Sequence, residues 1–300
     1  MTFADFLATA WDDHAEHPRE VADRLAGSLH LITSAEDAPA FARIVTHVYG
    51  EHLAAWNEGV ALLASLAERP VCVDDRDARA MIARSTATLR HGNRDAHALD
   101  GLPTDDLVWA LATAASALAA QGQWPRALAD FEAALACVPP GLDPVSAAPR
   151  ALAVAGNNLA VALEEKPDRS AAETVVMVLA ARVGVTYWTL AGTWLEAERA
   201  HYRLARSLLQ AGDMVAARES AARCAAICAE HDAPAMERFL AECVVAISAR
   251  CAGDDAAFAA ARERARDWHA RVAAEEAPWC ATDLAELEAV PQSEQARVIA

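Results

Sequence analysis

Three arginines at i, i+4 and i+7, Arg199, Arg203 and Arg206, stand in the stretch RAHYRLAR. On a helix this spacing sends all three guanidinium groups from one face, with Tyr202 beside them. A guanidinium is a rigid donor fork matched to carboxylate, so the row is a candidate site for an acidic peptide or a small carboxylate ligand. The alternative is that the arginines pair with Glu196 and Glu198 or line a solvated face. Metal chemistry has fewer candidates. His14 with His17, and His47 with Glu51 and His52, offer the right ligand types, but in acidic N-terminal helices solvated side chains are the simpler reading. Cys224 and Cys228 are four apart with no second Cys or His pair at zinc spacing, and read as core packing. No metal site and no cofactor is expected.

Catalytic motifs are missing too: no HExxH, GxSxG, GxGxxG or P-loop pattern occurs. The single lysine, Lys166, sits in a turn beside Pro167, which disfavours a P-loop or Schiff-base lysine. The expectation is a protein that is not an enzyme. An enzymatic reading would need a pocket that gathers His47, Glu51 and His52 with residues of another hairpin.

The elements that must position these residues are helices. Hydrophobic residues make up 54% of the 300 positions but aromatics only 6%, because alanine and leucine dominate, and two-residue alternation is scarce. The chain reads as all-α. A formal charge of −17, from 43 acidic against 26 basic side chains, repels phosphate and anionic lipid at long range, so neither nucleic acid nor membrane is an expected partner. Seven cysteines, mostly on helical segments, fit a reducing compartment. The N-terminus has no basic n-region, and no uncharged apolar run reaches bilayer length, so a cytoplasmic location is expected.

Helix-breaking corners recur at Gly122, Pro167, Gly212 and Gly253, at intervals of 45, 45 and 41 residues. Five residues after each comes a small or aromatic residue: Ala127, Ala172, Ala217 and Phe258. Such a period marks a stack of antiparallel helical hairpins. Pairs are predicted at about 105–120 with 125–137, 145–164 with 169–183, 189–210 with 214–230, and 234–251 with 255–273. Before them, residues 1–36 read as an N-terminal helical cap and 37–275 as the repeat array. Residues 276–300 read as a capping helix opened by Pro278, with a polar tail that frays after Pro291. Residues 74–104 resist assignment beyond one amphipathic helix to about Arg90.

Gly122, Trp124, Ala127, Phe131, Ala134 and Pro139 resemble the second half of a tetratricopeptide repeat, and Leu111, Ala114, Ala115 and Leu118 fit its first helix. The frame recurs at Asn158, Leu159 and Ala160 with Ala172, Val176 and Leu179, then at Leu204, Ala205, Leu208, Gly212, Ala217, Ala221 and Cys224. A degenerate copy surrounds Gly253, and Trp56 with Gly59 matches Trp124 with Ala127. The resemblance, clearest over 105–260 and closest to the longer-helix members, implies a superhelical α-solenoid. It also implies that first helices line a concave groove for a peptide or partner helix. Inward positions are then Trp109, Ala112 and Ser116, then Val154, Asn157, Asn158 and Val161, then Arg199, Tyr202, Arg203 and Arg206. The polar carboxylate clamp of chaperone-binding members is not matched. The implied function is a protein-interaction adaptor or scaffold with Asn158, Arg199, Tyr202, Arg203 and Arg206 as contacts to a protein or peptide, acidic in character. A sensory protein closing on a small acidic ligand and a self-assembling array are the alternatives, and oligomeric state is not fixed by the sequence.

Overall fold

The structure, a computed structural model, describes residues 1–289; the tail expected after Pro291 lies outside the described residues. Every regular element among them is helical. The chain divides into two compact units, Met1–Ala162 and Leu163–Ala300, the boundary falling inside one helix.

The first unit begins with α1 (Phe3–Asp13), α2 (Pro18–Gly27) and α3 (Asp37–Thr46). A π-helical turn, His47–His52, continues α3 directly. Then come α4 (Trp56–Ala67), the short α5 (Pro70–Val73), α6 (Arg76–Gly92), α7 (Thr104–Ala120), α8 (Trp124–Ala136) and α9 (Ala147–Glu165), which crosses the boundary. The core is built from Phe41, Ile44, Leu63, Leu89, Leu118 and Phe131, all fully buried. Segment 74–104 is thereby resolved: α6 packs on α3, α4 and α7, and turns follow it.

The second unit holds α10 (Ala171–Ala191), α11 (Trp194–Ala211), α12 (Met214–Glu230), α13 (Ala235–Cys251), α14 (Asp255–His269) and α15 (Ala277–Glu288), packed mainly in chain order. Pro278 opens α15 as expected. Two clusters make its core. Ala205, Ala221, Cys224, Cys228 and Val244 form one. Phe239, Cys243, Ala246, Ala261 and Ala265 form the other, closed by Cys280 and Leu287 of α15.

Local chemistry explains the corners. Gly122, Gly212 and Gly253 have φ of 69°, 80° and 74°, the left-handed geometry that ends a helix at little cost only for glycine. Ala127 and Ala217, five residues after two of these corners, are fully buried. The same logic holds at Gly59, where a Cβ would lie 2.7 Å from Leu89 and 2.8 Å from Tyr49, so the helices close only over glycine.

The repeat frame fails at Pro167. Ala172 and Leu179 are exposed rather than buried, and the inner face of α10 instead runs through Met177, Ala180, Ala181, Gly184 and Trp188. The helix also runs eight residues past 183, with Gly184 and Trp188 of the extension buried, and α10 packs on α11. By length and composition α10 is apolar enough to cross a membrane although it carries Glu173 and Arg182, with 28% of its most apolar window buried. Its start is a reciprocal capping box between Ser170 and Glu173. Ser170→Ala is expected to cost about 1 kcal/mol by removing that cap, measured as a lower urea midpoint at unchanged slope.

Candidate functional site

Helix α11 delivers the arginine row from one face, but its members meet three different helices. Arg199 forks onto Glu237 of α13, with Nε to Oε2 at 3.3 Å. Arg203 pairs with Glu164 of α9, which also accepts from Ser207 Oγ at 2.5 Å. Arg206 pairs with Glu286 of α15 at 2.5 Å. Tyr202 donates its hydroxyl to Asp283 of α15, and burial, reinforced by that carboxylate, pushes the phenol well above its ordinary range. Glu196 and Glu198, the alternative partners, act on Arg199 through their charge but also have hydrogen bonds of their own. Glu196 caps α11 through Thr193. Glu198 is buried and accepts from Cys224 Sγ at 2.8 Å. Burial raises the Glu198 carboxyl to about 7, against the thiol hydrogen bond that lowers it. The two cysteines pack in the core, as their spacing implied.

Helix α15 brings a row of acids onto the basic faces of the second unit. Beyond Asp283 and Glu286, its Glu288 accepts from Arg266 Nε at 2.7 Å and also pairs with Arg262. Arg250 caps the end of the helix through the carbonyls of Glu286 and Ala289, both at 3.2 Å. On its inner side Leu287 and Cys280 are fully buried.

In the first unit the implied groove positions Trp109, Ala112 and Ser116 are buried at 9%, 0% and 6% exposure, because α6, α8 and the π turn pack around α7. Asn158 is half-buried on α9, in the first unit, whereas the arginine row belongs to the second. Trp188 is buried at the end of α10, and Trp194 stacks on His231 with ring centroids 5.1 Å apart. A surface concavity of about 480 Å³ lies along α6 by Arg79, Ile82, Arg90 and Leu102.

The first unit also collects three histidines. His14, the residue that ends α1, meets His47 and His52 of the π turn, and one ring nitrogen of each lies within 4.8 Å of the others. None of the three is fully solvated, which corrects the reading of these side chains as free; His17 stays exposed and apart. His47 Nδ1 lies 3.2 Å from Glu51 Oε2, and His47 Nε2 lies 3.1 Å from His52 Nε2. His14 Nδ1 is bonded to the carbonyl of Trp11, whose ring packs on both His14 and His47. Burial and the neighbouring His47 hold His52 below the ordinary imidazole range.

The π turn creates this meeting. At 3.6 residues per turn, residues five apart point about 140° away from each other, whereas i+5 hydrogen bonding brings them into line. Leu53 N bonds Val48 O at 3.1 Å in that pattern, and Gln121 Nε2 holds the Glu51 carbonyl at 2.6 Å. Gly50 lets the turn sit against its neighbours, since a Cβ there would come within 3.1 Å of Trp56 and 3.3 Å of Leu89. Sequence periodicity carries no sign of the inserted residue, so only the count of histidines and Glu51 hinted at the cluster.

No protein-family model matches this chain, and no curated protein matches it. The class defined by fold and site is an all-α protein of sequentially packed helices, in which acids of α15 meet Tyr202 and Arg206 of α11 and Arg262 and Arg266 of α14.

Proposed function

We propose that the chain is a tetratricopeptide-like interaction protein whose second unit receives an acidic amphipathic helix, with its own α15 as the resident occupant. The hairpins α11/α12 and α13/α14, turned at left-handed glycines, supply the repeat-like frame. The observation that carries the reading is the seat of α15. An acidic helix of the chain itself reaches the end of the arginine row, with Asp283 on Tyr202 and Glu286 on Arg206. A partner helix that repeats this pattern, acids three apart beside a leucine one residue on, would compete for the same face. Glu286 is 35% exposed, so its ion pair is open to exchange, while Leu287 is fully buried and anchors the resident helix. Burying one such leucine contributes roughly 1.5–3 kcal/mol, which an incoming helix must match.

The test uses a fluorescent peptide of residues 275–289 added to the full chain. Leu287→Glu should expel the resident helix and raise peptide affinity at least about tenfold over wild type, equivalent to roughly 1.4 kcal/mol. Added salt and a further Arg206→Glu change should each weaken that binding. Equal affinity in wild type and Leu287→Glu, or indifference to Arg206→Glu, would show that α15 only caps the fold.

A further inference from the structure

We propose that His14, His47 and His52 form a three-histidine site for a divalent late transition ion of the zinc class, with a solvent molecule in the fourth position. The rings are arranged as such a site requires. A carbonyl oxygen only accepts, so the nitrogen of His14 facing Trp11 O must be the N–H, which leaves Nε2 with the lone pair. Glu51 does the same for His47: its carboxylate accepts a hydrogen bond from Nδ1–H, which leaves Nε2 with the lone pair. That carboxylate–histidine pairing is the outer-shell arrangement that fixes the tautomer and raises the basicity of a metal-ligating imidazole. His52 presents its Nε2 to the same point.

The spacing fits an ion. Two imidazole nitrogens each about 2.0–2.1 Å from a tetrahedral zinc lie about 3.3–3.4 Å from one another. His47 and His52 stand at 3.1 Å, and the third ligand atom comes into range with a side-chain shift on the order of 1 Å, because all three lie within 4.8 Å. A proton shared between two imidazoles explains the His47–His52 contact but gives no role to His14. Its ring centroid is 4.9 Å from that of His47 and 5.1 Å from that of His52. The donor set is purely imidazole, which suits zinc, copper, nickel and cobalt rather than magnesium or calcium. Partial exposure of the rings leaves room for solvent as fourth ligand. The ligands come from α1 and from the π turn 33 positions on, so the ion would tie the first helix to the body of the unit.

The test takes the untagged chain under reducing conditions and measures Zn²⁺ and Co²⁺ binding by equilibrium dialysis with metal analysis. One ion per chain is expected, with the intense visible bands of four-coordinate cobalt and no response to Mg²⁺ or Ca²⁺. Free Zn²⁺ at 100 times its Kd should raise the melting temperature by about 5–10 °C. Glu51→Gln should weaken binding roughly 10–100-fold, and His14→Gln and His52→Gln should each weaken it further, while His17→Gln leaves it unchanged. Circular dichroism shows which variants are folded, and either ligand variant that folds decides the matter. Absence of binding at micromolar free ion overturns the site. So does binding that survives His14→Gln or His52→Gln, which would assign the ion to two ligands or to the cysteines.

Discussion

Glu198→Gln is expected to stabilise the protein above pH 7 and to remove a fall in stability between about pH 4.5 and 7. Glu198 is 1% exposed, and its carboxyl is raised from 4.5 to about 7 chiefly by burial. In the unfolded chain it loses its proton near its ordinary value, whereas the folded chain keeps that proton until about pH 7. Between those limits the native state binds more protons than the unfolded state, so stability drops as pH rises, and above pH 7 the loss is complete and constant. The size of the loss is about 3 kcal/mol, set by the separation of the two titrations. Glutamine keeps the shape without the charge, and Cys224 still has an oxygen to donate to. Urea denaturation of variant and wild type across pH 4–8, under reductant, yields the difference directly. A difference that does not change with pH would mean that Glu198 is not held neutral by the fold.

Arg203→Ala is expected to destabilise the second unit by about 3–5 kcal/mol, because it strands a buried charge. The Glu164 side chain is 6% exposed and would retain only the Ser207 hydroxyl. Adding Glu164→Gln to Arg203→Met should restore most of the loss, since a neutral pair of similar volume has no charge to desolvate. The measurement is a denaturant titration of the single and double variants. A small effect of Arg203→Ala would mean that Glu164 escapes to solvent. This also decides how binding should be probed: Arg203 is tied to the fold of the unit, so its loss would change any interaction indirectly. Arg206, whose partner Glu286 is partly exposed, is the cleaner handle on the face that holds α15.

Much of the secondary structure was legible in the residues. The start near 169 agrees with the capping box of Ser170 and Glu173, whereas the box of Thr193 and Glu196 starts α11 at Trp194, five residues after the expected 189. Gly212 closes α11 in the left-handed geometry that its position in the pattern required. The spacing of the arginines likewise placed them on one face of α11. Their partners were not legible. Glu164, Glu237 and Glu286 lie 39, 38 and 80 positions away among 43 acidic residues, and charge attraction does not select one from the rest. The histidines were visible as two separate groups, His14 with His17 and His47 with Glu51 and His52, but a regular helix would have turned His47 away from His52 and nothing local joined His14 to them.

The residues alone were enough for an all-α chain, for the glycine corners at Gly122, Gly212 and Gly253, and for the face from which Arg199, Arg203 and Arg206 extend. These depend on backbone hydrogen bonds and on neighbours three or four residues apart, which helical periodicity encodes directly. Long-range packing set the rest: Asp283 and Glu286 of α15 on Tyr202 and Arg206, Glu198 buried beside Cys224, and His14 against His47 and His52. Those outcomes depend on which helices pack together and on one π turn that Gly50 lets sit against Trp56 and Leu89, and packing between distant segments leaves no period in the sequence.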